Sequence, residues 1–279
     1  DFGNGERFLS LHGDRVRYCY EFKKWICWDG TRWLVDNSGR AKNLMQQTIL
    51  RFLEQAIAAG EDGGTARTFA KKSLEDREIN SALSSAQPNA PICADELDQH
   101  PMLLNFKNGT VNLETGKLQK HNPADLITKL IHYDYRPEAK CPKFLKMLSE
   151  IIDESLLLFL QRAIGYSLTG LTNEKVVFLL WGPGNNGKST LLTLLFNALE
   201  EYASMISIES LMTRSQESTN AQADIADLRG ARFVMTSETE QGQSLAEGKL
   251  NRVTQGMGKI KAVRKYENPI QFAETHKLF

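Results

Sequence analysis

The chain has 279 residues, 34 Lys and Arg against 34 Asp and Glu, and five His. A hydrophobic fraction of 41% and a charged fraction of 24% are those of an ordinary globular sequence, which excludes wholesale disorder, a collagen and a membrane bundle. No apolar run approaches the roughly 18 residues of a bilayer span, and zero net charge argues against coating nucleic acid through bulk charge while leaving room for a local basic patch.

The N-terminus has neither a basic n-region nor an apolar h-region, so no signal peptide is expected and a cytoplasmic setting is favoured. The chain lacks an initiator Met, as expected of a piece of a longer reading frame or a processed product. Residues 15–36 read as strands. Tyr18, Tyr20 and Phe22 alternate at period two, and runs at 25–28 and 32–35 flank an Asp29-Gly30 turn, which is a hairpin pattern. Three of the four Trp fall here. Aromatic strands pairing in a small sheet is the simpler reading, and stacking of single-stranded bases is the alternative.

Residues 41–59 read as a helix with an apolar stripe at Leu44, Ile49, Phe52, Leu53, Ala56 and Ile57, ended by Gly60. After a loop at 61–64, residues 68–86 read as a more polar helix stopped before Pro88. A second hairpin is expected over Leu103 to Lys120, with turns at 107–109 and 114–116. Pro142 starts a helical stretch that breaks near Asp153, continues to about Leu168 and is closed by Gly170. Cys19, Cys27, Cys93 and Cys141 form no C-x-x-C pair and fit no zinc spacing; they read as free, mostly buried thiols in a reducing compartment. His12, His100, His121 and His132 have no metal spacing and read as surface or structural residues. This front part is an α+β module without a catalytic constellation.

From Glu174 the texture changes. Residues 176–181 are a continuous apolar run of strand length, and Ser189 to Leu199 is a helix apolar on nearly all sides. Both suit the centre of an α/β sandwich with a parallel sheet. The domain boundary is accordingly placed near 170, with an α+β domain over 1–170 and an α/β domain over 171–279.

Between run and helix lies Gly182-Pro183-Gly184-Asn185-Asn186-Gly187-Lys188-Ser189, the pattern G-x-x-x-x-G-K-[ST]. Glycines let the backbone curl so that successive N–H groups face phosphate oxygens, and the helix starting at Lys188 aims its positive end at the same anion. The Lys188 ammonium is placed to reach the β- and γ-phosphates and the Ser189 hydroxyl to ligate Mg²⁺, and Thr190 completes the ATP-binding run 182–190. A site for ATP follows, but the loop alone does not choose between helicase, kinase and other ATPases.

Such a site needs an acidic residue at a neighbouring strand end, to hold Mg²⁺ or polarise the attacking water. The run 231–238 supplies a strand ending in Glu238, preferred over Glu240 because it stands directly at that end. Asp224 and Asp227 read as surface or packing residues on a preceding helix. A helix over 244–253 follows, then two strands within 259–272 about a turn. From Lys249 to Lys265 there are six basic residues and no acidic one, including Lys259, Lys261, Arg264 and Lys265, with Tyr266 next. Two phosphate partners and a stacking ring at a hairpin tip suit a sequence-tolerant grip on a single strand. A basic edge strand protected against pairing fits the residues as well.

The order of these elements resembles the superfamily 3 helicases of the AAA+ class, and in particular the phage and plasmid primase–helicases with a poxvirus-type helper domain. GPGNNGKST is similar to their Walker A, SETE at 237–240 to their Walker B, and 254–272 to the hairpin that touches DNA before the sensor 1 strand. NGERFLSLHGDRVRY, WICWDGTRW and LLNFKNGTVNLETGKL resemble the helper domain.

The resemblance implies an AAA+-like P-loop core preceded by the helper domain, and an ATP- and Mg²⁺-dependent DNA helicase. Lys188 and Glu238 are its catalytic pair, Ser189 and Glu238 hold the metal, and Lys259, Lys261, Arg264, Lys265 and Tyr266 are on single-stranded or forked DNA. It further implies a homo-hexamer, an upstream primase domain, no membrane, and a phage or plasmid protein of a bacterial host. Two departures stand out. Ser237 occupies a position that is acidic in many relatives. The chain ends, at Thr275 to Phe279, in what resembles the start of the sensor 1 strand, before the Asn and the arginine finger of the family. A middle fragment that binds ATP without turning it over well is therefore expected. The rival readings are a non-catalytic DNA-binding or assembly fragment and a P-loop phosphotransferase acting on a small molecule.

Overall fold

A computed structural model describes residues 2–213, 219–236, 244–256, 258–263 and 268–279. The chain divides into two compact units, 1–96 and 97–279.

The first unit runs α1 (Phe2–His12), β1 (Val16–Cys19), β2 (Lys24–Trp28), β3 (Trp33–Val35), α2 (Arg40–Ala58), α3 (Gly64–Ser73) and α4 (Asp76–Ala86). The three strands form an antiparallel meander in sequence order, with Trp28 opposite Trp33. Its β2–β3 turn is held by Asp29 Oδ1, which accepts from the backbone N–H of Thr31 (2.7 Å) and of Arg32 (2.9 Å). Trp25 and Trp33 are buried, and Trp25 packs edge-on against Phe8 beside Met45, Ile49 and Ile79. Aromatic pairing in a small sheet is thus what forms, and these two rings are not available to stack on bases. In α2 the buried face includes Met45 and Thr48, while Ile57, expected in the stripe, is 54% exposed. The single helix expected at 68–86 is two. Glu75 is extended, and Asp76 and Glu78 in the first turn of α4 favour a fresh helix N-terminus there.

The second unit begins with an antiparallel meander of β4 (Leu103–Phe106), β5 (Gly109–Asn112) and β6 (Lys117–Gln119). Next come α5 (Pro142–Ile151) and α6 (Glu154–Leu168), separated where expected. Asp153 Oδ1 accepts from Ser155 N at 2.9 Å and caps α6. There follow α7 (Lys188–Leu199), β7 (Ala203–Met205), α8 (Ile208–Leu211), α9 (Thr219–Ala226), β8 (Phe233–Met235), α10 (Glu247–Thr254), β9 (Lys259–Ala262), β10 (Ile270–Ala273) and β11 (Lys277–Leu278). β9 and β10 pair as an antiparallel hairpin. β11, β8 and β7 form a parallel sheet in that order, and Val177 adds a parallel bridge to Leu278, with Phe178 N donating to Leu278 O at 2.8 Å. The molecule is therefore a mixed α/β protein with some parallel sheet.

Two expectations are corrected. Residues 176–181 are not a fully covered central strand. They have one bridge, to β11, and Leu179 and Trp181 are 82% and 95% exposed. Helix α7 is buried on one stripe, Leu191, Leu195 and Leu199, at the four-residue spacing of a helix face, while Leu194 is exposed. Apart from these two, the compact-unit division falls at 96/97. The reason is packing. Leu104, Phe106 and Val111 of the β4–β6 meander share one core with Leu191, Leu195, Leu199, Phe233 and Phe279, and Tyr202 Oη accepts from Asn105 N at 3.0 Å.

Among the described residues no helix is long and apolar enough to cross a membrane, and no cluster of metal-ligating side chains occurs. Cys19 and Cys27 are buried, and burial pushes each thiol up to about 12; Cys93 and Cys141 are exposed. His121 Nδ1 lies 3.0 Å from Asn105 Oδ1, and His132 Nδ1 lies 2.8 Å from Glu200 Oε2, which are structural contacts.

Candidate nucleotide and nucleic-acid site

The loop at 182–187 is built from residues at positive φ. Gly182 is at +155°, Asn185 at +57° and Gly187 at +81°. Gly187 is constrained by space as well as by angle, since a β-carbon there would stand 2.8 Å from Ile151 Cγ2 of α5. Gly187 is the N-cap of α7, and Leu191 N donates to its carbonyl at 2.9 Å. The Lys188 ammonium folds back over the loop, donating to Gly182 O (2.9 Å), Pro183 O (3.0 Å) and Asn186 Oδ1 (2.8 Å). Ser189 and Thr190 follow in the first helical turn, both exposed. The arrangement puts a cation, a helix N-terminus and a curled backbone at one place, which is the chemistry of an anion site. The exposed Ser189 hydroxyl is a hard oxygen donor of the kind Mg²⁺ takes.

A cleft of about 960 Å³ opens beside the loop. Its wall includes Trp181, Gly182, Lys188, Ser189, Leu192 and Thr193 from the loop region, and Met205, Met235, Thr236 and Phe279 from the carboxyl ends of the parallel strands. Ligands of open α/β sheets bind at that edge. The strand ends are tied together: Thr236 N donates to Phe279 O (2.9 Å), Phe279 N to Val234 O (2.8 Å), and Phe279 stacks on Phe178 with centroids 4.6 Å apart. Because β11 lies between segment 176–181 and β8, the end of β8 stands two strand spacings, about 10 Å, from the strand that enters the loop.

Not every residue singled out in the sequence can be placed. Gly182, Pro183, Gly184, Asn185, Asn186, Gly187, Lys188, Ser189 and Thr190 are brought together as expected. Ser237, Glu238 and Glu240 lie outside the described residues, which stop at Thr236 on this strand; so do Arg264, Lys265 and Tyr266. Lys259 and Lys261 are on the exposed face of β9, alternating with buried Ile260 and Ala262, and Arg252 Nη2 donates to Lys261 O at 2.8 Å. Asp224 is a packing residue, as read. It accepts from Ser210 Oγ at 2.7 Å and Ser207 N at 3.3 Å.

The sequence reading missed a set of buried ionisable side chains at and beside β8, β10 and β11. Arg232, Glu274 and Lys277 are 3%, 6% and 2% exposed. Arg232 Nη2 donates to His100 O at 2.9 Å. Lys277 Nζ donates to Thr169 O at 2.5 Å and lies over the Tyr166 ring at 4.4 Å; burial first, and then Arg232, pull its pKa down to about 7. Burial pushes the Glu274 carboxyl up to about 7 against the opposing pull of the Gly256 N–H, Lys277 and Lys175. The one available signal was the polar run Glu274-Thr275-His276-Lys277 wedged between two strand-like stretches.

The fold and loop thus define a class, a mixed α/β protein with a Gly-rich loop at the edge of a parallel sheet. Residues 5–153, more than half of the chain, match the family described as D5 N terminal like, and the chain belongs to that family. Residues 180–279 match a second family, DUF5906, whose function is unknown. The chain is similar to "Putative helicase L207/L206" of Acanthamoeba polyphaga mimivirus, at 25% identity over 91% of this chain and 29% of that protein. It is also similar to "Putative helicase 121R" of Invertebrate iridescent virus 3, at 27% identity over 58% of this chain and 18% of that protein. The chain therefore spans less than a third of the length of these curated relatives.

Proposed function

We propose that the chain is the ATP-driven motor segment, with its D5-type helper region, of a superfamily 3 primase–helicase of the AAA+ class, working as a homo-hexamer on single-stranded or forked DNA in replication. The observation that carries this is the Gly182–Ser189 loop, set between segment 176–181 and α7 at the carboxyl edge of the parallel strands. The names of the viral relatives support the helicase reading, and the exposed lysines of β9 support a nucleic-acid face.

In this reading the loop amides and Lys188 hold the ATP phosphates, and Ser189, with Glu238, holds Mg²⁺. The metal, when bound, neutralises charge on the phosphates. Glu238 orients and activates the attacking water. Lys259, Lys261, Arg264 and Lys265 follow the DNA backbone, and Tyr266 stacks on a base. A primase-type domain upstream belongs to the same proposal for the longer protein.

The test is ATP hydrolysis, with and without single-stranded DNA, by the longer protein that carries this chain and continues past Phe279. Hydrolysis stimulated by DNA supports the motor. Hydrolysis indifferent to DNA points to a phosphotransferase acting on a small molecule, and DNA binding without any nucleotide requirement or turnover points to a non-catalytic module. Within the motor reading, Glu238→Gln is expected to keep ATP affinity and to lose turnover by about a hundredfold or more, the size of a general-base effect; retained turnover would move that role to Glu240 or another acid. Lys259→Ala and Lys261→Ala should each flatten the dependence of log K on log salt for single-stranded DNA by about 0.7–1. An unchanged slope would return β9 to a solvated edge.

A further inference from the structure

The foot of the β9–β10 hairpin is clasped by one residue. On leaving β10, Glu274 donates its backbone N–H to Gly258 O (3.3 Å), and its buried side-chain Oε2 accepts from Gly256 N (3.0 Å). Gly256 in turn packs against a turn of the chain at 172–175. With φ at +66°, a β-carbon on Gly256 would stand 2.4 Å from Thr172 O and 3.0 Å from Lys175 Cγ. That turn is itself tight, with Lys175 at φ +48° and Lys175 N donating to Thr172 O at 3.4 Å. It leads directly into segment 176–181 and the phosphate loop.

On its other side Glu274 continues through Thr275, whose Oγ1 donates to Ala231 O at 2.7 Å, into β11. Leu278 of β11 then pairs with Val177. Hairpin foot, lead-in to the loop and β11 therefore meet at Glu274.

We propose that Glu274 is a positioning residue that joins these three parts into one body, so that the occupancy of the phosphate loop is transmitted to the basic face carrying Lys259 and Lys261. The inference rests on the nucleotide reading above. A buried carboxyl is costly unless bonded, and here its partner is a backbone N–H at the hairpin foot. The charges of Lys277 on β11 and Lys175 on the turn favour its ionised form. The role asks for an acceptor rather than a charge, so an amide should serve and a methyl should not.

Amide hydrogen exchange of the whole chain, with and without an ATP analogue and Mg²⁺, tests this. In the parent protein the analogue should slow exchange in the loop and the start of α7, and also at 258–262, by about fivefold or more, the low end of ordinary coupling between sites. In Glu274→Ala the loop should still be protected and the protection at 258–262 lost, with exchange of β4–β6, in the same unit, unchanged as the check on folding. Glu274→Gln should restore the transmitted protection, which a general loss of packing would not do. Protection at 258–262 that survives in Glu274→Ala overturns the inference and leaves the nucleotide site standing. Absence of protection at the loop itself in the parent removes the nucleotide reading and this inference together.

Discussion

Replacing Lys188 with alanine is expected to raise the dissociation constant for ATP by about a hundredfold or more. The ammonium stands at the N-terminus of α7 and already holds three oxygen acceptors of its own loop, at 2.8–3.0 Å. A phosphate chain must replace neutral oxygens with charged ones, and each charge-assisted bond contributes about 1.5–3 kcal/mol. Losing two of them costs at least about 3 kcal/mol, which is roughly two orders of magnitude in affinity. The substitution should not unfold the protein, because alanine is the better helix former and the side chain is not part of the core. Titration with a fluorescent ATP analogue, alongside thermal unfolding, separates the two effects. Unchanged affinity would remove Lys188 from the site.

The second large effect concerns the buried ammonium of Lys277. In the unfolded chain this group keeps its proton to about pH 10.4, whereas in the fold it gives it up near 7. Between these values the unfolded state binds more protons, so stability must rise with pH. The contribution approaches, as a ceiling, about 1.4 kcal/mol per pH unit. Glu274 has the opposite sense. Its carboxyl keeps a proton in the fold up to about pH 7 and loses it near 4.5 when unfolded, so its contribution falls as pH rises through that window. The two windows meet near neutrality, and together they place a dip there in the stability of the second unit. Lys277→Met should abolish the rise above pH 7, and Glu274→Gln the fall below it. Urea unfolding followed by circular dichroism from pH 5 to about 9.5 measures both slopes. A parent protein with a flat profile above pH 7 would mean that the Thr169 carbonyl and the Tyr166 ring keep Lys277 charged.

Legibility followed the range of the interaction. The loop at 182–189, the β9–β10 pairing, both antiparallel meanders and the break at Asp153 were readable because turn residues, caps and periodicity act over a few positions. The split of 68–86 into α3 and α4 was missed because Glu75 and Asp76 look like ordinary polar surface in a helical pattern. Glu238, Arg264, Lys265 and Tyr266 were named from the sequence and lie outside the described residues, so their placing rests on motif and resemblance. Glu274, Lys277 and Arg232 were missed because polar residues are priced as exposed unless a distant partner is known. Their partners, Gly256, Thr169 and His100, are far away in the chain.

By itself, then, the sequence determined where the Gly-rich loop forms and which helix it opens. It also determined that acid-rich 205–248 (seven acids, three bases) is followed by a basic stretch at 249–265 (six bases, no acid) inside a neutral total. Local chemistry suffices for both. Only the tertiary structure decided that the β4–β6 meander shares a core with α7 and β8, and that β11 slots between segment 176–181 and β8. It alone buried the side chains of Arg232, Glu274 and Lys277. Each of those facts is a meeting of segments distant in the chain, set by which faces can be buried together.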